Sequence, residues 1–160
     1  MPRDLSAALA LVREFEGFRP WPYLDAVGIA TIGYGHVITE DGQPLRGPNG
    51  LARARQLYPR GMTEAGVHAL LAEDFARFAE GVESLVTVRL TDTQLGALAS
   101  FAFNVGLGAF KTSTLRKRLN AGQYDAVPGE LMKWTRAGGR VLLGLVRRRR
   151  AEADLWSRAA

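Results

Sequence analysis

Residues 16–36 read EGFRPWPYLDAVGIATIGYGH, and a change of rhythm inside this stretch decides the fold. Just before it, Leu5, Leu9, Val12 and Glu16 fall on one helical stripe, with Ala8 and Phe15 beside it. Asp4 is placed to cap a first helix over residues 5–16, and Gly17 to stop it. Glu16 therefore ends a helix at the edge of its core-facing stripe, while Glu14 points to solvent. Beyond Gly17 the period changes. Pro20 and Pro22 block a helix, Tyr23 and Leu24 predict a strand, residues 25–28 a turn and residues 29–34 a second strand. Gly33 and Gly35 imply close backbone approach to a neighbouring strand or a ligand.

The rest of the chain is mostly helical in pattern. Residues 39–50 are polar and rich in Gly and Pro, as in a loop or a third short strand with its turn. Residues 51–58 predict a short helix closed by Pro59 and Gly61. Thr63 can cap a long helix through about residue 86, with Val67, Leu70, Leu71, Phe75, Phe78, Val82 and Leu85 as its apolar face. Such a helix spans roughly 30 Å, enough to link two lobes. Thr91 and Gln94 form a capping box for the next helix, whose stripe is Leu95, Leu98, Ala99, Ala102 and Phe103, and which Gly106 and Gly108 end. Thr112 or Ser113 caps a helix over residues 115–119, a further helix covers residues 125–135 with Gly138 and Gly139 after it, and a last one covers residues 145–156. This order predicts an α+β fold with the sheet segregated to one end. The expected layout is one domain over residues 1–160: a first helix to residue 16, a β lobe at 17–60, a linking helix at 63–86 and a helical lobe at 87–160, flanking a cleft.

Bulk properties narrow the function classes. The formal net charge is +5 and the pI about 10.1, so an acidic partner is implied: nucleic acid, an anionic surface or an anionic polymer. The absence of Cys excludes disulfides and thiol chemistry, and two His without Cys make a poor zinc set. The first residues carry no signal-peptide pattern, and no uncharged run approaches membrane-spanning length. Synthesis in the cytoplasm without stable membrane insertion is the expectation.

Glu16, Asp25 and Thr31 carry the candidate chemistry. Cleavage of a glycosidic bond needs one carboxylic acid to protonate the leaving oxygen and a second carboxylate to steer water or stabilise the oxocarbenium-like centre. Glu16 suits the acid, with Phe15, Phe18 and Trp21 near it in sequence and the negative end of a helix dipole disfavouring ionisation. Asp25 suits the ionised partner, and Thr31 can offer a hydroxyl to the same water. On residue types alone, Asp25 could equally be a turn residue and Thr31 a strand residue.

The spacing is more specific. Glu16, eight residues, Asp25, five residues, Thr31 and then Ile32-Gly33-Tyr34-Gly35-His36 resembles the signature of the phage-type lysozymes, in particular the lambdoid-phage endolysin branch. The resemblance continues through residues 100–122 (SFAFNVGLGAFKTSTLRKRLNAG) and 133–156 (KWTRAGGRVLLGLVRRRRAEADLW). It implies a lysozyme-like fold and endo-hydrolysis of the β-1,4 bond between N-acetylmuramic acid and N-acetylglucosamine in peptidoglycan, by inversion and without metal or cofactor. Glu16 would be the general acid, Asp25 would position the water, and Thr31 would be the third member. Gly35 would let a sugar approach or would only serve the strand. Phe103 and Asn104 would line the far side of the cleft, with Asn104 meeting an acetamido group and core packing as the other reading of Phe103. Thr114 would lie on the cleft wall or would cap a helix. His36 would pair with a carboxylate in the other lobe. Arg147 or Arg148 would pair with Glu16; the run of residues 147–150 otherwise reads as a solvated face or as attraction to the wall polymer. Trp134 and Trp156 read as core, while Trp21 could stack on a sugar. A monomer is implied, dependent on a membrane-permeabilising partner such as a holin to reach the wall in the periplasm.

Two alternatives differ in kind. A lytic transglycosylase needs the Glu but no water-positioning Asp, so the spacing argues against it. A basic nucleic-acid-binding protein could use the helix of residues 147–150, but the chain shows no base-stacking motif or DNA-binding signature.

Overall fold

Asp4 opens the fold as expected. Its carboxylate accepts from the Ser6 backbone N–H at 3.0 Å and from the Ser6 hydroxyl at 2.7 Å, at the start of helix α1 (Ser6–Glu16). The computed structural model describes residues 2–158. α1 buries Ala8 and Val12 and is followed by Gly17 at a φ of 73°, a left-handed value that a helix stop favours. The chain divides into two compact units: Glu16–Asp74, and Met1–Phe15 together with Phe75–Ala160.

The first of these holds the sheet. Strands β1 (Arg19–Leu24), β2 (Ala30–Gly33) and β3 (His36–Val37) form an antiparallel sheet in that order. β1 pairs with β2 through Arg19↔Gly33, Tyr23↔Thr31 and Leu24↔Ala30, with an irregular register between Arg19 and Tyr23, where Pro20 and Pro22 supply no N–H. Two short strands, β4 (Thr39–Glu40) and β5 (Gln43–Pro44), make a hairpin in the segment that reads as a loop or a short strand with its turn, and helix α2 (Gly47–Leu57) follows, starting four residues earlier than its apolar pattern suggests. Pro48 fits its first turn. Ala30, Ile32, Ile38 and Ala54 form the small core, with Leu24, Leu45, Tyr58 and Met62 packed on it.

Helix α3 (Glu64–Leu85) begins in this unit, where Thr63 Oγ1 accepts from the Gly66 N–H at 3.0 Å, and the boundary between the units falls inside it. His36 Nδ1 lies 2.6 Å from Asp74 Oδ2. The expectation that this histidine reaches a carboxylate of the other lobe is thus corrected: Asp74 is in the same unit, and the pair ties β3 to α3.

The other unit is built on helix α4 (Asp92–Val105), whose capping box is formed: Gln94 N–H donates to Thr91 Oγ1 and Thr91 N–H to Gln94 Oε1. α4 is buried nearly all round, from Leu95 through Ala102, so Phe101 is fully buried while Phe103 is only half-buried. Gly106 ends α4, but Gly108 does not mark a stop. It lies inside a short helix α5 (Leu107–Thr112) that the sequence pattern misses. Ser113 caps α6 (Thr114–Asn120). The helix expected over residues 125–135 is shorter: a 3-10 turn at Tyr124–Ala126, then α7 (Val127–Leu131). After it, β6 (Arg136–Ala137) and β7 (Arg140–Val141) form a hairpin turning on Gly138 and Gly139, both at positive φ, the geometry a two-residue turn with strand-matching twist requires. Helix α8 (Leu143–Trp156) packs on α4 and α7. No helix among the described residues is long and apolar enough to cross a membrane.

Glu130, on α7, is buried and paired with Arg118 at 3.1 Å and Lys133 at 3.0 Å. The hydrogen bond from Lys133 outweighs desolvation and, with Arg118, holds its carboxyl below the usual glutamate range. A folded-state value below the unfolded one adds stability above the unfolded pKa, and that stability is lost as the pH falls through the folded value. Glu130→Gln should therefore unfold more easily than the wild type at neutral pH, and the gap should begin to narrow once the pH drops below the unfolded glutamate value of about 4.3. Urea titrations at several pH values read this directly.

Candidate active site

Asp25 and Thr31 are joined through one residue between them. Asp25 Oδ1 accepts from the backbone N–H groups of Val27 and Ile29, both at 2.9 Å. The Asp25 N–H in turn donates to the Ile29 carbonyl at 2.9 Å, and Gly28 N–H donates to the Asp25 carbonyl at 3.0 Å. The Thr31 hydroxyl donates to that same Ile29 carbonyl at 2.9 Å. Thr31 is 2% exposed, whereas Asp25 is half-buried. The turn thus spends one carboxylate oxygen of Asp25 on backbone donors and the hydroxyl proton of Thr31 on a backbone acceptor. Asp25 Oδ2 and the lone pairs of Thr31 Oγ1 remain to accept hydrogen bonds.

Glu16, half-buried at the end of α1, brings its carboxylate to the turn between β2 and β3. A Cβ added at Gly35 would stand 3.8 Å from Glu16 Oε2, and Gly35 itself is exposed with a φ of 82°. Tyr23 was not singled out by the sequence, yet it sits among these groups. It pairs across the sheet with Thr31, and the Arg19 guanidinium lies 3.9 Å from its ring centroid. Burial pushes its phenol up, Arg19 opposes this, and the negative charges of Glu16 and Asp25 add to the rise. Tyr23 therefore feels both carboxylates and keeps its proton. The signal in the sequence is its place two residues before Asp25, at the end of the strand that leads into the turn.

The Phage lysozyme profile matches residues 13–152. The chain belongs to the phage lysozyme family. An endolysin of Bacillus phage B103 is 38% identical over 152 residues, covering 94% of this chain and 52% of the relative, so the chain spans about half the length of that protein. A SAR-endolysin of bacteriophage PS119 is 36% identical over 146 residues, covering 89% of this chain and 78% of the relative. The muramidase domain of SpmX from Asticaccaulis excentricus has a TM-score of 0.78 at 31% identity, covering 99% of this chain and all of that domain. A P22 lysozyme mutant has a TM-score of 0.77 at 31% identity, covering 98% and 99% of the two chains.

In this lysozyme-family chain the remaining candidates lie in the helical unit. Phe103 packs edge-on against Phe78 and tilted against Phe75, with ring centroids 5.1 and 6.2 Å away. Asn104 is exposed, and its Oδ1 accepts from Arg149 Nη2. Because a guanidinium only donates, this contact fixes the amide with its NH₂ as the free end. Thr114 is exposed and begins α6, but Ser113 does the capping, which removes that reading of Thr114. The arginine run is not simply a solvated face: Arg147 and Arg150 are exposed, while Arg148 and Arg149 are 3% and 0% exposed. Arg148 donates to the Ser100 carbonyl at 3.2 Å and approaches Glu152 at 3.4 Å. Arg149 donates to Glu152, Asn104 and the Trp134 carbonyl, and lies over the Phe101 ring. Burial draws the Arg149 guanidinium below its ordinary value, against the pull of Glu152. The burial of Arg149 is not legible in the sequence, because the pattern of four arginines hides which of them face inward.

Arg149→Met should cost about 3–5 kcal/mol, the range for removing one partner of a buried ion pair. Arg150→Ala, on the exposed side, should stay within about 0.5 kcal/mol of wild type. Chemical denaturation of both variants gives the comparison.

Proposed function

We propose that the chain is an endolysin that cleaves the β-1,4 bond between N-acetylmuramic acid and N-acetylglucosamine in peptidoglycan by direct displacement with water, leading to host-cell lysis. The observation that carries this reading is the hydrogen-bonded turn joining Asp25 and Thr31, with Tyr23 as the strand partner of Thr31. A water that donates one proton toward Asp25 Oδ2 and the other to Thr31 Oγ1 has both hydrogens held and a lone pair free to attack. Asp25 takes the proton as the new C–O bond forms, and Glu16 delivers its own to the departing oxygen. Two carboxyl groups divided by a water are the arrangement of an inverting enzyme, in which they stand roughly 6.5–9.5 Å apart. Tyr23 keeps its proton under the field of both carboxylates and serves as a donor at the same place.

Gly35 leaves the edge of the acid open to a sugar ring, and Asn104 offers its amide NH₂ to an acetamido carbonyl. Phe103 and Thr114 complete the substrate contacts in this proposal. Arg147, exposed, and Arg148, buried, are the two candidates for electrostatic partner of the acid in this proposal. The enzyme acts as a monomer, needs no cofactor, and reaches the wall after a holin-type partner has opened the membrane. The relatives named as endolysins support this reading, as does a net charge of +5 toward an anionic wall.

Glu16→Gln should abolish clearing of outer-membrane-permeabilised Gram-negative cells while keeping the thermal melt. Asp25→Asn should lose about 10²–10⁴-fold in rate, Thr31→Ala should fall between it and the wild type, and Tyr23→Phe should lose about ten-fold or less. Mass spectrometry of the released muropeptides decides the reaction: reducing ends support hydrolysis, and anhydromuramyl ends would overturn it in favour of a transglycosylase. Fresh product with the α-anomer in excess supports inversion.

A further inference from the structure

A second concave site lies in the same unit as the sheet and shares no residue with the catalytic group. Trp21, Pro22, Arg55, Tyr58 and Pro59 line a cavity of about 380 Å³. This is within the roughly 300–1,000 Å³ of small-ligand sites. Trp21 is 58% exposed, the largest exposed apolar side chain of the described residues, and it is held in place. Its indole rests on Gly61, where an added Cβ would come within 2.6 Å of the Pro20 carbonyl and 3.0 Å of Trp21 Cε3. That carbonyl accepts from Met62 N–H at 2.8 Å, and Gly61 N–H donates to the Tyr58 carbonyl at 3.0 Å, so the segment under the ring is pinned to β1. Tyr58 packs on the small core. The platform is therefore rigid, unlike a tryptophan on a loop tip.

The polar groups around it are donors. Arg55, on the last turn of α2, makes no hydrogen bond or ion pair among the described residues, nor do the Trp21 indole N–H and the Tyr58 hydroxyl. Arg53, two residues earlier, is by contrast committed to Glu40 at 2.7 Å and Gln56 at 3.0 Å. An apolar ring face beside an unpaired guanidinium suits a ligand with a flat aliphatic face, many acceptors and a carboxylate. A sugar ring bearing an acetamido group and an anionic peptide has these features.

The geometry points to an accessory peptidoglycan-binding site, in which the indole of Trp21 takes a sugar face and Arg55 takes a carboxylate of the attached peptide. It rests on the reading of the chain as a wall hydrolase and deepens it: the site holds the enzyme on the polymer between cuts. In a Glu16→Gln background, which binds without cleaving, Trp21→Ala and Arg55→Glu should each weaken co-sedimentation with purified sacculi by about 5–10-fold, the scale of one lost contact. The Arg55→Glu loss should shrink at about 0.5 M salt, and the Trp21→Ala loss should persist. With Glu16 restored, both variants should raise KM on sacculi and leave kcat unchanged. Arg55→Glu alters an exposed side chain, and an unchanged thermal melt keeps that variant decisive if Trp21→Ala loses stability. If the wild type releases muropeptides but both variants bind sacculi as tightly as Glu16→Gln alone, the accessory site is overturned while the hydrolase stands. If the wild type releases none, it is the hydrolase that fails.

Discussion

The peptide groups of Ile29 are the joint on which the candidate catalytic turn depends. The Ile29 N–H holds one oxygen of Asp25, and the Ile29 carbonyl receives both the Asp25 N–H and the Thr31 hydroxyl. Two side chains with little intrinsic reason to stand together are fixed by one stretch of backbone, which has only two soft dihedrals per residue. The same joint closes the loop between β1 and β2, so the pairing Leu24↔Ala30 begins where the turn ends. From there the sheet enters its core at Ala30 and Ile32, both fully buried. Placement of the Asp25 and Thr31 side chains and closure of the loop between β1 and β2 thus rest on the same backbone groups. The buried Thr31 also costs nothing in unsatisfied polarity, because its proton is already placed.

A different solution operates in the helical unit. Ser100, Arg148, Arg149 and Glu152 bring charges into a nearly dry layer between α4 and α8. Burying a guanidinium is expensive, and the cost is offset only where every donor finds an acceptor. Here Glu152 takes Arg149 Nη1 on one oxygen and the Ser100 hydroxyl, at 2.6 Å, on the other, while the Trp134 carbonyl takes Arg149 Nε and Asn104 Oδ1 takes Arg149 Nη2. The network is weak evidence for stability but strong evidence for orientation: it turns the amide of Asn104 so that a donor faces outward. A Lys in place of Arg149 could not serve three acceptors in a plane.

Much of this was legible in the residues. The apolar spacing to Glu16, the Pro pair, and the Gly-rich run fixed the helix-to-sheet change, and the Thr91 and Gln94 capping box formed where those residues predict it. Local rules worked there because the groups involved lie within four residues of one another. They failed where a short element needs a long-range partner. The α5 helix was read as a stop because Gly106 and Gly108 lower local propensity, yet α5 buries Phe110, whose ring meets Phe101 of α4. The hairpin at residues 136–141 was read as the aftermath of a helix, although Gly138 and Gly139 are the residues a tight turn selects.

The sequence by itself determined the α+β order, the family, and the spacing of Glu16, Asp25 and Thr31, since these depend on residue type and on periods of two and 3.6. Only the tertiary structure decided which oxygen of Asp25 is spent, where the Thr31 proton goes, that Tyr23 shares their field, and which arginines of four face inward. It also decided that the carboxylate paired with His36 comes from α3 within the same unit, and that Trp21 rests on Gly61. The reason is physical: a hydrogen bond or a buried charge is settled by atoms brought within about 3 Å of one another by distant parts of the chain, and no local pattern encodes that distance.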